Sequence, residues 1–254
     1  MLPKTTIERL ESFKMPGFID ALRAQMESPA YQDLSFEDRL TLLVDSEHTR
    51  RLDQRTRRML REARLPRASS IEEVDFSFPR GLDKKTLLNL VSGSWLLSGT
   101  NVIITGATGL GKTFLASVIA DSVIKLGASV RFHRTHQLLA DFAGYVERKR
   151  LFQAFHCINK VKCLIFDEWL LDELSVADSR ILLDLFDARY RRTSCMFITQ
   201  YPVSAWPARF ADPTIADAIL DRLVHHAIRI ELAGKKSMRE LEKEETSLRS
   251  DNLD

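Results

Sequence analysis

Residues 101–114 read NVIITGATGLGKTF, and this stretch decides the fold. Its first five residues are an apolar run suited to a strand buried on both faces. Three glycines follow at 106, 109 and 111, and KTFLASVIADSVIKL then predicts a helix over 112–126. Strand, Gly106-x4-Gly111-Lys112-Thr113 and helix together form a phosphate-gripping loop. The chemistry needs these residue types. Glycines let the loop turn tightly, so the backbone N–H groups of Gly106, Ala107, Thr108, Gly109, Leu110 and Gly111 can converge on phosphate oxygens. The helix opening at Lys112, Thr113 and Phe114 turns its positive end to the same charge. Lys112 is expected on the β- and γ-phosphates, and the Thr113 hydroxyl on Mg²⁺. Gly109-x-Gly111 lacks the third glycine of a dinucleotide fingerprint.

Working outward, strand and helix patterns alternate. Strands are predicted at 101–105, 130–134, 161–167, 195–199 and 227–232. Helices are predicted at 112–126, 136–148, 178–192 and 214–224. Apolar strands alternating with helices predict an α/β fold with a five-stranded parallel sheet covered on both faces. The run CLIFDE, residues 163–168, places Asp167 and Glu168 at the carboxyl end of a strand, where such folds bind ligands. Asp167 is expected to hold Mg²⁺ through its water shell, and Glu168 to orient or deprotonate an attacking water. Asp followed by Glu argues for hydrolysis over transfer to a second substrate. Two late arginines, Arg222 and Arg239, could neutralise charge developing on the γ-phosphate.

Upstream, residues 4–64 read as helices broken at Met15-Pro16-Gly17 and at Ser28-Pro29. The third is expected to start near Ser35 and to end at Pro66. Predicted boundaries are a helical module over 1–67, a linker over 68–75, an ATPase domain over 76–240 and a charged tail over 241–254. Net charge is only +2, yet residues 50–67 hold eight arginines against Asp53 and Glu62, a local +6 that leaves −4 for the rest. A basic face on a near-neutral body suggests a polyanionic partner. Arg55, Arg57, Arg58 and Arg61, with the cluster Arg148, Lys149 and Arg150, are the candidates for binding duplex DNA with weak sequence preference. No zinc finger or clear helix-turn-helix is visible. No run of 18 apolar residues and no signal-peptide core occur, so a cytoplasmic protein is expected. Cys157, Cys163 and Cys195 lack zinc or disulfide spacing and are expected to be reduced core thiols. The pairs His133/His136 and His225/His226 are expected to be structural or surface residues.

The segments GATGLGKTFLA, CLIFDEW, ITQYPVSAWPARFADPTIADAILDRLVH and RIELAGKKSMR stand in that order, and SFEDRLTLLVDSEHTRRLDQRTRRMLREARLP precedes them. Together they resemble the IstB family, the ATP-dependent helpers of a class of bacterial insertion sequences, relatives of DnaC and DnaA among the AAA+ ATPases. The resemblance covers nearly the whole chain before about residue 240. It implies an AAA+ P-loop ATPase that forms homo-oligomers, binds DNA with ATP and stimulates or directs a separate transposase. It also implies that Arg222 enters a neighbouring subunit's site as an arginine finger, and that Arg239 senses nucleotide in its own subunit. Gln200 matches the polar sensor, with Thr199 as the alternative because Ile198 stands where the family carries threonine. Leu170 stands where the family carries glycine. No DDE-type acidic cluster or nuclease site is visible. A DnaC-like helicase loader and a nucleotide kinase are the alternative functions.

Overall fold

The computed structural model describes residues 4–234. Arg239 and the charged tail lie outside the described residues. The chain divides into two compact units between Arg58 and Met59.

The first unit contains α1 (Lys4–Ser12), α2 (Pro16–Glu27) and most of α3 (Phe36–Ala63). Pro16 opens α2 because its missing N–H falls where no intrahelical partner exists. The buried Glu47 carboxylate caps that end, accepting from Gly17 N at 2.8 Å and Phe18 N at 3.3 Å. Burial works against its charge, but hydrogen bonds from Arg51, Phe18 and Gly17 hold its carboxyl below the usual range. Gly17 allows a close approach there, because an added Cβ would lie 3.0 Å from the Ser46 carbonyl oxygen. Ser35 caps α3, accepting from Asp38 N at 3.1 Å. Phe36, Leu40, Leu42 and Val44 remain exposed, as the weak core of so short a module leads one to expect.

The second unit is built on a five-stranded sheet of order β2-β3-β4-β1-β5. These strands are β1 (Val102–Thr105), β2 (Val130–Arg134), β3 (Cys163–Asp167), β4 (Ser194–Thr199) and β5 (Ile228–Glu231), and every pairing is parallel. The expected AAA+ core of parallel strands preceded by N-terminal helices is therefore what the chain adopts. On one face, Val102, Ile104, Ile165 and Ile198 pack with α4 (Lys84–Val91), α5 (Lys112–Lys125) and the last turn of α3 at Met59 and Ala63. On the other, Ile103, Leu164, Phe166 and Phe197 pack with α6 (Thr135–Glu147), α8 (Val176–Arg189) and α9 (Pro213–Val224).

Several features depart from the pattern reading. Helix α7 (Leu151–Asn159) follows the basic turn and is absent from the pattern reading; along one side its Leu151, Phe155 and Ile158 pack against the core. Residues 68–75 carry a 3₁₀ turn at Ile71–Glu73 and bury Ser69 and Val74. Cys163 and Cys195 are core thiols, but Cys157 is exposed on α7, contrary to expectation. Arg189, unremarked in the pattern, is buried. It donates to the carbonyls of Ile158, Val161 and Ser194 at 2.9–3.1 Å, tying α7 to the starts of β3 and β4.

Candidate functional site

Because all five strands run the same way, the carboxyl ends of β1, β2, β3 and β4 meet at one edge. Residues 106–111 leave β1 there and turn into α5. Gly106, Gly109 and Gly111 have φ of 146°, 88° and 82°. Gly106 is also a close approach: a Cβ would come within 2.5 Å of the Leu232 carbonyl oxygen. Lys112 Nζ donates back to the carbonyls of Gly106 at 2.7 Å and Ala107 at 2.9 Å. The Leu110 carbonyl accepts from the buried Arg80 guanidinium at 3.1 Å. That support was not legible in the sequence, where Arg80 is one arginine among many.

Thr113, in the first turn of α5, donates through Oγ1 to the Asp167 carboxylate at 3.2–3.3 Å. Asp167 is the last residue of β3, and its carbonyl accepts from Thr135 Oγ1 at 2.8 Å. Burial pushes the Asp167 carboxyl up; bonds from Glu168 N and Thr113 oppose this, the Glu168 charge adds to it, and Lys112 again opposes it. A half-buried carboxylate facing a hydroxyl offers two hard oxygen donors, which suits Mg²⁺; that ion takes one or two carboxylates and leaves its other positions to water and phosphate. Among the described residues there is no group of three or more His, Cys, Asp or Glu that could cage a metal alone.

Beyond Asp167 the backbone breaks the strand pattern. Glu168 and Leu170 have φ of 56° and 58°. Alternation would send Trp169 to the α5 face with Asp167. Instead Trp169 is fully buried on the opposite face, 4.9 Å from Phe197 and 6.0 Å from Trp206 between ring centroids. The left-handed turn at Glu168 makes that crossing and leaves the Glu168 side chain facing the cleft, 3.4 Å from His136 Nδ1. Leu170 thus adopts the conformation that a glycine there would favour, and its 1% exposure shows what holds it.

From β4, Gln200 Oε1 accepts from Thr108 Oγ1 at 3.4 Å, so this side chain leans on the loop. Thr199 also lines the cleft, but its Oγ1 accepts from Tyr201 N at 3.1 Å and closes a local turn. Loop, Asp167, Glu168 and Gln200 together border a cleft of about 580 Å³.

Arg222 is elsewhere. It pairs with Asp187 of α8, and its carbonyl accepts from Asn101 Nδ2, just before β1. It therefore sits at the amino end of β1, about 13 Å of strand away from the loop. Arg55, Arg57, Arg58 and Arg61 are exposed on α3. Arg148, Lys149 and Arg150 are exposed in the turn between α6 and α7, where Lys149 has φ of 55°.

Residues 8–246 match the family described as IstB-like ATP binding protein. The chain belongs to that family. Relatives within it include the insertion sequence ATP-binding protein y4pL of Sinorhizobium fredii, 34% identical over 94% of this chain and 98% of that protein. The insertion sequence IS21 ATP-binding protein of Pseudomonas aeruginosa is 27% identical over 89% of this chain and 85% of its own. Among solved structures, DnaI superposes with a TM-score of 0.56 at 17% identity, covering 70% of this chain and 94% of that one. AMPPCP-bound DnaA from Aquifex aeolicus gives 0.55 at 13% identity, covering 69% and 53%. These two share the fold. The chain is therefore an ATP-binding AAA+ protein of the IstB-like family. No helix among the described residues is long and apolar enough to cross a membrane.

Proposed function

We propose that this IstB-like protein hydrolyses ATP at the junction between copies of itself, binds duplex DNA, and in that state directs and stimulates a partner transposase. The observation that carries the enzymatic part is the meeting of Lys112, Thr113, Asp167 and Glu168 at one mouth. Lys112 exchanges the Gly106 and Ala107 carbonyls for phosphate oxygens. Thr113 and Asp167 would hold Mg²⁺, which supplies neutralisation of charge across the β- and γ-phosphates. Glu168 holds and orients a water at the γ-phosphate and accepts its proton. Gln200, beside Thr108, fixes the far side of the terminal phosphate.

Nothing in this arrangement provides a guanidinium from Arg222 to its own site. Its position at the far end of β1 supports the reading that it serves a neighbouring copy. Arg239 is proposed as the sensor within the same subunit, though it lies outside the described residues. The DNA and transposase parts rest on the insertion-sequence names of the relatives and on the exposed arginines of α3 and of the turn between α6 and α7. A helicase-loading role is the alternative, but the family match and the insertion-sequence names of the relatives favour transposition.

The test is ATP turnover with and without duplex DNA for the wild type and Glu168→Gln. The variant should bind ATP as tightly as wild type while turnover falls about 100-fold or more, the cost typical of losing a general base. Wild-type turnover in Glu168→Gln would remove the base assignment. Capture of a replicative helicase rather than the transposase would replace the partner.

A further inference from the structure

The cleft has a wall that the P-loop reading does not use. Residues 64–74 run from the end of α3 past the first turn of α5, anchored by the fully buried Ala63 before them and by the buried Ser69 and Val74 within them. Between these anchors Arg67 is exposed and borders the same cleft as Lys112, Thr113, Asp167 and Glu168. Its guanidinium carbon lies 4.9 Å from the centroid of the Phe114 ring, and Phe114 directly follows Thr113. Its Nη2 donates to Glu73 Oε2 at 2.8 Å. Glu73 does not depend on this bond for its position, because its Oε1 accepts from Ser70 N at 2.9 Å in a capping box.

From this geometry we infer that Arg67 is a further phosphate-contacting residue, reaching the terminal phosphate of a nucleotide bound in its own subunit; this rests on the ATP-site reading above. Three arguments converge. The Arg67–Glu73 pair has side chains 54% and 44% exposed, so it is weakly held and easily exchanged. A phosphate oxygen gives the guanidinium fork a more highly charged acceptor than a shared carboxylate. The Phe114 face can keep the cation while the fork turns, so the exchange preserves the stacking contact. Glu73 is then a resting acceptor that remains capped after Arg67 leaves. The same exchange makes the segment that follows α3 responsive to the terminal phosphate.

The test is binding of Mg²⁺-ATP and Mg²⁺-ADP to full-length wild type, Arg67→Ala, Arg67→Lys and Glu73→Gln, with Lys112→Ala as the control. Arg67→Ala should weaken ATP about tenfold while changing ADP less than about twofold, as expected for loss of one charge-assisted phosphate contact. Arg67→Lys should fall between, and Glu73→Gln should bind ATP at least as tightly as wild type. A merely structural role for Arg67 would lower both nucleotides alike, and that result, or unchanged ATP binding in Arg67→Ala, overturns the inference. If Arg67→Ala does not fold, Arg67→Lys and Glu73→Gln decide on the same ATP-to-ADP ratio. Loss of binding in Lys112→Ala with wild-type behaviour in Arg67→Ala removes Arg67 alone. Wild-type binding in Lys112→Ala would instead displace the whole site.

Discussion

Asp167 is held at a cost to folding. Burial raises its carboxyl, so the folded chain disfavours the ionised form that the free chain adopts above about pH 4. With the folded value raised, stability is lost as pH rises from the unfolded toward the folded value. Asp167→Asn should therefore melt higher than wild type without nucleotide, yet lose the melting shift that Mg²⁺-ATP produces by mass action. Calorimetry with and without ligand checks both halves, and a lower melting point without ligand would contradict the first. Leu170 shows a different balance. Its left-handed backbone costs about 1 kcal/mol, whereas deleting a buried leucine costs about 2–5 kcal/mol. Leu170→Gly should destabilise by about 2 kcal/mol in denaturant titration, even though glycine suits the backbone better.

At the scale of elements, the outcome turns on charges that strands and helices bring indoors. Arg189 closes α8, and its three carbonyl partners come from the ends of α7, β3 and β4. Arg189→Met leaves those carbonyls without a donor and should cost about 3 kcal/mol or more, read from the urea midpoint. His133 in β2 is pushed down to about 4 by burial, helped by Arg131 and Arg64 and opposed by Asp141. Below about pH 6.5 the unfolded chain takes up a proton that the folded chain refuses, so stability falls as pH drops from there toward 4. The full loss is about 3 kcal/mol from this one group. His133→Asn should flatten that part of the pH–stability curve. The pattern reading found β2 and α8 but had no means of seeing that His133 and Arg189 point inward. Periodicity ranks faces by apolar content, and a polar side chain inside is decided by partners from other elements.

For the whole molecule, the proposed shared site predicts complementation. Lys112→Ala and Arg222→Ala should each be nearly inactive alone. Mixed, they should recover part of the wild-type turnover, because some junctions then join an intact loop to an intact arginine. No recovery on mixing would argue against a finger supplied by the neighbour. DNA binding should weaken steeply with salt. Replacing Arg55, Arg57, Arg58 and Arg61 with alanine should lower the log–log slope by about 2 to 4, at roughly 0.9 per lost phosphate contact. An unchanged slope would take α3 off the DNA surface.

The parallel sheet, the phosphate loop and the Asp167–Glu168 pair were legible in the sequence because each is local: a strand period, a glycine spacing, a carboxylate at a strand end. Tertiary structure decided where the backbone turns against local preference and which charges are buried. The left-handed Glu168 and Leu170 depend on an aromatic cluster of Phe166, Trp169, Phe197 and Trp206, contributed by β3 with the turn after it and by β4 with the turns after it. The Arg80 prop under Leu110 spans 30 residues, and the meeting of Thr113 with Asp167 spans 54. Contacts at such separations leave no period in the chain, because they are set by how whole elements pack and not by the neighbours of any one residue.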